Sequence, residues 1–378
     1  MTCPPAPRWA WAEIDVDAIG HNVGVLRRAV APAGVWAVVK ADGYGHGSVV
    51  VARAAVEAGC DGLCVALTAE GVALREAGLD VPILVLSEQP AEHGPTLVAH
   101  RLTPTVTSTA GIDALADLRP DGLGVHLKVD TGMHRIGAQP ADVPALVSRI
   151  AGHAPQLRLA GIFTHLAVAD EPGDPYTAGQ LATLTAVLAA LPPAVLDGVA
   201  VHAANSAGGL AHPASRHDFV RAGIAVYGIS PGPEIDELAR PLRPALALKA
   251  RVSHVKRLAA GERLSYGLRY TLPVDANVAT VPLGYADGVR RNLSNNGDVL
   301  IGGRRRPIIG NVTMDQLMVG CGDDPVQRGD EVVLIGTQGD ERITAEEWGI
   351  RLGSIGYEVV CGIGPRVPRL LVGVARRP

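Results

Sequence analysis

The sequence predicts an α/β fold in which an N-terminal (β/α)8 TIM-like barrel is followed by a C-terminal mostly-β domain. A chain of 378 residues is too long for one ordinary core but suits a barrel with a smaller second domain. From residue 35 onward, short apolar segments rich in β-branched residues alternate with helical stretches, which is typical of a barrel. The alternation stops near residue 241, so we place the barrel at residues 1–241 and the second domain at 242–378.

Eight strand-like segments support the barrel. They are Val35 to Lys40, Leu63 to Leu67, Ile83 to Ser87, Thr103 to Val106, Val125 to Asp130, Ala160 to His165, Val199 to Asn205 and Phe219 to Tyr227. In the first intervening helix, Ser48 is the expected N-cap and Gly59 the left-handed end. Residues 41–47 therefore follow the first strand, at the barrel face where catalytic groups collect.

The C-terminal part contains strand-like runs separated by Gly, Asp and Asn turns, which predicts a mostly-β domain. These runs are Ala276 to Pro282, Val299 to Ile301 and Glu331 to Ile335. No low-complexity linker precedes them, so we expect two rigidly joined domains. Residues 1–10 either begin the barrel or pack on the β-domain.

Composition favours a small-molecule partner. The chain has 34 basic and 38 acidic residues, and its basic residues cluster only in short runs. It therefore lacks the extended positive surface that binding of nucleic acid or of an anionic membrane needs. The longest apolar stretch, residues 181–196, is broken by Pro192 and is too polar to span a bilayer. Residues 1–8 lack the apolar core of a signal peptide. We therefore expect a cytoplasmic protein without a membrane anchor.

The cysteines predict neither a disulfide framework nor a zinc site. Their number is odd, and none has a His or Cys partner at zinc-finger spacing. We expect reduced, buried thiols and no bound metal. The five cysteines are Cys3, Cys60, Cys64, Cys321 and Cys361.

Lys40 is the first candidate for chemistry. It follows the apolar run Trp36 to Val39, so its amine is expected to emerge at the catalytic face of the barrel. Desolvation lowers the pKa of a lysine and leaves its amine available for a Schiff base. A surface lysine with its ammonium group in solvent fits this segment equally well.

Residues 39–47 (VKADGYGHG) resemble the pyridoxal phosphate (PLP) binding motif of the alanine racemase family. The resemblance runs from about Trp11 to Arg369 and includes several motifs in family order. It implies a homodimeric, PLP-dependent enzyme that interconverts L- and D-alanine, with D-alanine serving peptidoglycan precursor synthesis. It also implies a set of phosphate ligands, which are Tyr44, Asn205, Ser206, Gly223, Ile224 and Tyr357. For Asn205 and Ser206 alone, a strand-end turn with a helix cap is the likelier interpretation.

Arg221 is the residue that best distinguishes racemisation from other PLP-dependent reactions, because the family places this arginine against the pyridine nitrogen of PLP. An arginine only donates hydrogen bonds, so it leaves that nitrogen unprotonated. The ring is then a weaker electron sink, which suits racemisation better than transamination or decarboxylation. From the residues alone, a structural salt bridge from Arg221 to Asp218 remains open.

Racemisation needs acid–base groups on both faces of the cofactor. The resemblance implies Lys40 for one face and Tyr266, in the motif ERLSYG, for the other. A tyrosine has an ordinary pKa of about 10, so it needs nearby charge or strong hydrogen bonds to act near neutrality. The family places His165 between this tyrosine and Arg221; taken alone, His165 equally fits a packed strand-end residue.

The resemblance also implies that each active site is shared between two subunits. Lys40 and Arg221 come from one chain, and Tyr266 with Met314 comes from the other. Met314 and Asp315 lie in GNVTMDQ, which resembles the loop that contacts the substrate carboxylate.

Arg135, in the motif VDTGMHRIG, is the expected cation for the substrate carboxylate. Lys128 precedes this motif and is carbamylated in many relatives, a modification that converts a cation into an anion able to orient Arg135. Without it, the two cations repel, so an anion such as chloride is expected instead. His134 stands where several relatives carry glycine.

Tyr285, in PLGYADG, resembles the tyrosine at the family's substrate entrance. Asp170 and Arg291 match the outer corridor more loosely and individually fit solvated surface charge. Three other functions fit parts of this pattern: a broader-specificity or serine-active racemase, a decarboxylase of the same fold, and a non-enzymatic PLP-binding barrel. Arg221 speaks against the decarboxylase, and the β-domain with Tyr266 speaks against the non-enzymatic protein.

Overall fold

The computed structural model describes residues 8–373, which form two compact units. Of the described residues, 18–243 form one unit, the barrel unit, and 8–17 together with 244–373 form the other, the β-rich unit. The predictions that concern residues 1–7, including Cys3 and the signal-peptide region, lie outside the described residues.

Parallel strands and surrounding helices make up the barrel unit. Strand β1 (Ala10–Asp15) belongs to the β-rich unit, and helix α1 (Val16–Val30) leads from it into the barrel unit. The barrel strands are β2 (Gly34–Val38), β3 (Gly62–Val65), β4 (Ile83–Val85), β5 (Thr105–Val106), β6 (Leu123–Lys128), β7 (Leu157–Phe163), β8 (Ala200–His202) and β9 (Phe219–Ala222). The helical segments are α2 (Lys40–Tyr44), α3 (Ser48–Glu57), α4 (Thr68–Glu76), α5 (Gly94–Ala99), α6 (Thr109–Ala116), α7 (Val143–Gly152), α8 (Tyr176–Ala189), α9 (Ser206–Ala211) and α10 (Asp236–Ala239).

The strands close into the predicted barrel. All pairings within the two strand groups, β4-β3-β2-β9 and β5-β6-β7-β8, are parallel. A parallel bridge between Leu84 and Thr103 joins β4 to the residues before β5. On the other side, the Asp218 amide donates to the Val201 carbonyl over 3.0 Å and joins β8 to β9. The eight-stranded barrel expected from the sequence is therefore confirmed.

Aromatic rings fill part of the barrel interior. Trp36 stacks on Phe219 at 4.3 Å between ring centroids, Phe219 stacks on His202 at 4.2 Å, and His202 stacks on Phe163 at 4.5 Å. His202 and Phe163 are buried. This column of rings forms the floor beneath the polar side chains that gather at the carboxyl ends of the strands.

Local details differ from the sequence predictions. Ser48 is the first helical residue of α3 and does not cap it; Gly47 holds the N-cap position, and the Asp42 carboxylate accepts from the Ser48 amide at 2.8 Å. Gly59 has the predicted left-handed conformation, with φ of 95°. Strand β9 ends at Ala222, and the remainder of the predicted strand forms a 3-10 turn over Ile224–Tyr227.

The β-rich unit has the predicted mostly-β character. Besides β1, its strands are β10 (Leu246–Arg251), β11 (His254–Leu258), β12 (Arg263–Leu264), β13 (Tyr270–Thr271), β14 (Ala276–Val281), β15 (Asp298–Ile301), β16 (Arg304–Pro307), β17 (Leu317–Gly322), β18 (Glu331–Gln338), β19 (Glu341–Ile343) and β20 (Arg369–Val372). They form a seven-stranded sheet in the order β16-β15-β18-β10-β1-β20 with β19 on β18, a three-stranded sheet β11-β14-β17 and the pair β12-β13. Two helices, α11 (Ala345–Leu352) and α12 (Gly356–Cys361), complete it.

The cysteines are not all buried. Cys60, Cys64 and Cys321 are buried thiols, and burial raises the pKa of Cys60 and of Cys64 to about 12. Cys361 is exposed at the end of α12, so the expectation of a buried thiol is wrong there. Between residues 8 and 373, no helix has both the length and the apolar character needed to cross a membrane.

Candidate active site

A left-handed turn carries Lys40 away from the end of β2. Lys40 is half-buried, and the next residues have positive φ: 53° at Ala41, 51° at Asp42 and 60° at Gly43. Such a conformation costs roughly 1–3 kcal/mol at each non-glycine residue, so the surrounding structure must hold it. The Gly43 amide donates to the Val39 carbonyl at 2.9 Å and closes the turn.

Two residues that the sequence analysis did not single out fix this turn. Glu70 on α4 accepts from the Ala41 amide at 2.7 Å with one carboxylate oxygen and from the Ala66 amide at 2.8 Å with the other. The Tyr227 hydroxyl donates to the Val38 carbonyl at 2.9 Å. A glutamate in the first turn of a helix is ordinary in sequence, so only the fold reveals its second role.

Arg221 is buried and is held by hydrogen bonds to neutral acceptors. Its Nη1 donates to Nδ1 of His202 at 2.7 Å, and its Nη2 faces Nδ1 of His165 at 3.2 Å and the carbonyls of Thr164 and Ala203. Asp218 instead accepts from the Val201 amide, at 2.6 Å. The alternative interpretation, a salt bridge from Arg221 to Asp218, is therefore wrong.

These contacts fix where the histidine protons lie. Because a guanidinium only donates, Nδ1 of His165 and Nδ1 of His202 must both accept. Burial, followed by the positive charge of Arg221, holds the pKa of each histidine well below its usual value, so both rings are neutral near pH 7. Each ring therefore carries its proton on Nε2.

Lys128 adds a second buried cation. It is 7% exposed, its Nζ donates to the Leu86 carbonyl at 3.4 Å, and it lies 5.4 Å from the centre of the Phe163 ring. Arg221 lies 5.2 Å from the same ring. Burial first, and then the charges of Arg221, Arg135 and Lys40, lowers the pKa of Lys128 to about 8. Several cations thus gather at the carboxyl end of the barrel, which suits anionic ligands.

A polar cradle forms where β8 and β9 end. The Ser206 hydroxyl accepts from the Gly223 amide at 2.8 Å and from the Ala225 amide at 3.3 Å, and Ile224 opens the 3-10 turn between them. A Cβ atom at Gly223 would lie 2.7 Å from the Tyr44 hydroxyl. The Ser206 and Tyr44 hydroxyls therefore converge on the backbone of Gly223.

Asn205 has a structural role in this region. Its side-chain oxygen accepts from the Gly208 amide at 2.8 Å and caps the N-terminus of α9. The helix-cap interpretation is thus confirmed for Asn205, whereas the Ser206 side chain turns to β9.

The loop after β6 presents Arg135 to solvent. Asp130 accepts from the amides of Gly132 and His134, each at 3.0 Å, and so shapes the loop. His134 has φ of 55°, a left-handed conformation that glycine adopts without strain. Among the described residues, the Arg135 guanidinium has no hydrogen-bond or ion-pair partner. Asp170 is half-buried next to Gly232, where a Cβ atom would lie 2.7 Å from the Asp170 Cβ.

The remaining predicted site residues belong to the β-rich unit. Tyr266, Met314 and Tyr285 are 77%, 52% and 44% exposed, respectively. Their loops are connected, since the Tyr285 amide donates to the Thr313 carbonyl at 2.9 Å and the Asn311 side chain donates to the Tyr266 carbonyl at 2.6 Å. The unit therefore presents a group of exposed apolar side chains.

Asp315 is tied into an ion-pair chain. It pairs with Arg366 at 2.7 Å, and Arg366 pairs with Asp287 at 3.3 Å. Asp287 is fully buried and also binds Arg8 at 2.7 Å. Arg291 is exposed at the start of a 3-10 turn, and Tyr357 is half-buried in α12.

The structure groups the predicted residues by unit. Those of the barrel unit lie at or after the carboxyl ends of its strands: Lys40, Tyr44, Lys128, Arg135, His165, Asp170, Asn205, Ser206, Arg221, Gly223 and Ile224. The sequence did not identify His202 as a site residue, because nothing in the local pattern of a strand indicates that its histidine accepts a hydrogen bond from an arginine. The fold and this site define a barrel enzyme that carries a lysine and several other cations at the carboxyl ends of its strands, with an additional β-rich unit.

Comparison with known proteins identifies the family. The model of the alanine racemase N-terminal domain matches residues 14–231, and that of the alanine racemase C-terminal domain matches residues 245–371. The chain belongs to the alanine racemase family.

Curated relatives and solved structures agree with this family. The chain is 48% identical to the alanine racemase of Symbiobacterium thermophilum over 97% of this chain and 98% of that protein. It is 41% identical to alanine racemase 1 of Bacillus subtilis over 98% and 95%, respectively. The crystal structure of alanine racemase from E. faecalis superposes with a TM-score of 0.91 at 38% identity and covers 98% of this chain and all of that one.

Proposed function

We propose that this protein is an alanine racemase, a PLP-dependent isomerase that interconverts L- and D-alanine. Family membership supports the activity, and the hydrogen bonding of Arg221 is the observation that carries the mechanism. Arg221 is a buried, obligate donor held against neutral acceptors, in a pocket where Lys128, Arg135 and Lys40 add positive charge.

The residues at the ends of β8 and β9 suit the cofactor phosphate. A side chain at Gly223 would collide with the Tyr44 hydroxyl, so the glycine lets the Tyr44 and Ser206 hydroxyls lie close to the backbone where a small anion would bind. Ser206, Tyr44 and the turn beginning at Ile224 would bind the phosphate. Asn205, whose side chain caps α9, would act through its backbone, and Tyr357 is proposed as a further ligand from the β-rich unit.

PLP supplies an electron-withdrawing ring that makes the Cα–H bond of a bound amino acid acidic. Arg221 would donate to the ring nitrogen and leave it without a proton, which limits carbanion side reactions. This arrangement favours racemisation over transamination and decarboxylation.

Lys40 and Tyr266 are the proposed bases. Nζ of Lys40 would remove or return the proton on one face of Cα, and the hydroxyl oxygen of Tyr266 would do so on the other. His165 supports the second role, because Arg221 fixes its proton on Nε2 and leaves that N–H able to donate to a phenolate oxygen. Such a donor lowers the pKa of a tyrosine.

We propose a homodimer with shared active sites. The exposed side chains of Tyr266, Met314 and Tyr285 favour this arrangement, because exposed apolar groups held on connected loops are typical of an interface. In the proposed dimer, the β-rich unit of one subunit supplies Tyr266 and Met314 to the barrel unit of the other.

Arg135 is the proposed partner of the substrate carboxylate, with Met314 and Asp315 near it. Lys128 needs an anion beside it, either a carbamate on its own Nζ or a bound chloride. Its lowered pKa favours the carbamate, because only the neutral amine reacts with carbon dioxide. Incubation with 13C-bicarbonate should give a carbamate carbon signal that Lys128→Ala abolishes; retention of activity in chloride without that signal would favour chloride.

Tyr285, with Asp170 and Arg291 further out, is proposed to line the substrate entrance. A narrow entrance limits the substrate to small amino acids, so serine is the expected minor substrate. D-alanine formed in the cytoplasm would serve as a peptidoglycan precursor.

Circular dichroism of L-alanine incubated with the PLP-loaded protein tests the proposal. The optical signal should decay to zero with the wild type and persist with Lys40→Ala or Tyr266→Phe. An unchanged signal from wild-type protein that visibly holds PLP would reject alanine as the substrate. Repeating the assay with L-serine would then distinguish a serine racemase from a protein that only binds PLP.

A further inference from the structure

A cavity opens at the end of the barrel opposite Lys40. It has a volume of about 480 Å³ and is lined where the strands begin, by residues that include Trp36, His126, Arg158 and Phe219. Parallel strands all start at one face of a barrel, so this cavity lies at the amino-terminal face. Its volume falls in the range of small-molecule sites, roughly 300–1,000 Å³.

Arg221 determines, through His202, which ring nitrogen of His126 carries the proton. Because Nδ1 of His202 accepts from Arg221, its Nε2 carries the proton and donates to Nδ1 of His126 at 2.9 Å. His126 is neutral, since burial first, and then the charges of Arg221 and Arg158, lowers its pKa to about 3. Its single proton must therefore lie on Nε2.

The Nε2–H group of His126 is a donor without an acceptor within residues 8–373. The side chain is only 4% exposed, and its ring lies against Gly161, where a Cβ atom would be 2.5 Å from it. Among the described residues, Nε2 of His126 is not one of the side-chain atoms that are both buried and unpaired, so this donor stays accessible from the cavity. A ligand in the cavity can therefore accept this hydrogen bond in place of solvent.

Arg158 provides a matching positive charge. In the described part of the chain its guanidinium makes no ion pair or hydrogen bond, and it is close enough to lower the pKa of His126. The other lining arginine, Arg101, pairs with Asp80 at 3.1 Å. Asp121 stands at the exposed rim and disfavours a highly charged anion.

The walls are mostly apolar. Trp36 and Phe219 stack at 4.3 Å, and Val98 and Leu102 line the cavity beside them. Such walls suit the body of an organic ligand and leave a bare inorganic anion poorly solvated.

We propose that this cavity binds a small monocarboxylate with an apolar, ring-sized body, whose carboxylate accepts from His126 Nε2–H and pairs with Arg158. The ligand is distinct from the substrate because its site lies at the opposite face of the barrel. The chain of hydrogen bonds through His126 and His202 connects it to Arg221.

Benzoate is the test probe, titrated calorimetrically into the PLP-loaded protein, with benzamide as its neutral counterpart. Arg158→Gln should weaken benzoate binding at least about tenfold, because a charge-assisted hydrogen bond is lost. The matched control is Arg28→Gln, on the exposed face of α1, which should bind as the wild type does. Both arginines are exposed, so both variants should fold normally.

A second readout locates the probe. In protein labelled with 15N-histidine, saturating benzoate should shift the Nε2 resonance of His126, and the shift should vanish in Arg158→Gln. Equal binding by the two arginine variants, or an unmoved His126 resonance, would overturn the proposal. So would benzoate binding that is lost in Arg135→Gln and kept in Arg158→Gln, since the probe would then occupy the proposed substrate site. Tighter binding of inorganic phosphate than of benzoate would overturn the ligand class.

Discussion

The Nη1 group of Arg221 donates to Nδ1 of His202 over 2.7 Å, and both side chains are buried. The His202 ring is stacked between Phe219 and Phe163. Its stacking contacts and its hydrogen bonds can therefore be tested separately.

Replacing His202 with phenylalanine separates these two roles. His202→Phe retains the stacking and removes the acceptor, so Arg221 Nη1 is left unpaired and the free energy of unfolding should fall by about 1–3 kcal/mol. Urea denaturation measures this loss. His93→Phe, on an exposed 3-10 turn, is the control and should change stability little. An unchanged free energy of unfolding in His202→Phe would show that the hydrogen bond contributes nothing net.

Shared active sites predict complementation between two inactive variants. In a heterodimer of Lys40→Ala and Tyr266→Phe, one of the two sites receives both native residues. If the subunits mix randomly, half of the dimers are heterodimers, so activity should return to about a quarter of the wild-type value. The mixture is refolded together or co-expressed and then assayed by circular dichroism. Sites built within one chain would give no recovery above either variant alone.

The lowered pKa of Lys128 leads us to expect that the stability of the protein depends on pH. Its pKa is about 8 in the folded protein and 10.5 when unperturbed, so between these values the unfolded chain binds a proton that the folded chain lacks. Stability should therefore rise as the pH increases through this window, by at most about 3 kcal/mol. Below pH 8 the folded protein bears the full cost of the buried charge.

Urea unfolding in carbon-dioxide-free buffer at about pH 8 and about pH 10 measures this dependence. Lys128→Met should lose the rise, whereas Lys256→Met, at an exposed position of β11, should keep it. The same rise in all three proteins would assign it to other groups.

The close approach of Gly223 to Tyr44 leads us to expect that a side chain at position 223 weakens cofactor binding. Gly223→Ala would place a methyl group 2.7 Å from the Tyr44 hydroxyl, so Tyr44 must move and PLP affinity should fall about tenfold or more, the equivalent of one lost hydrogen bond. Absorbance titration of the apoprotein with PLP measures the affinity. Gly179→Ala is the control, because a Cβ atom at that position in α8 meets nothing within 4 Å. Equal affinities in the two variants would remove Gly223 from the proposed phosphate site.

The partner of Arg221 shows why the site was only partly predictable. Asp218 is three residues away, and sequence proximity suggested a salt bridge. Side chains alternate between the two sides of a strand, so residues three apart point in opposite directions. Arg221 points inward to His202, whereas Asp218 binds the Val201 amide, and only the pairing of β8 with β9 brings these groups together.

The start of the helix after Lys40 was also predicted incorrectly. Serine is a common N-cap residue, so the sequence predicted Ser48 as the N-cap of this helix. The left-handed turn over Ala41 to Gly43 instead brings Asp42 to the Ser48 amide, and Glu70 from a separate helix holds the turn. Such long-range acceptors leave no local pattern in the sequence.

By itself, the sequence determined the barrel, the β-rich unit and the family, because alternating apolar segments and ordered motifs are properties of the chain read locally. Only the tertiary structure decided which acceptor each buried donor meets. The tautomers of His165, His202 and His126 follow from that choice, because Arg221 only donates and strand register places the rings within its reach. Register is set by packing across the whole barrel, so no local pattern encodes it.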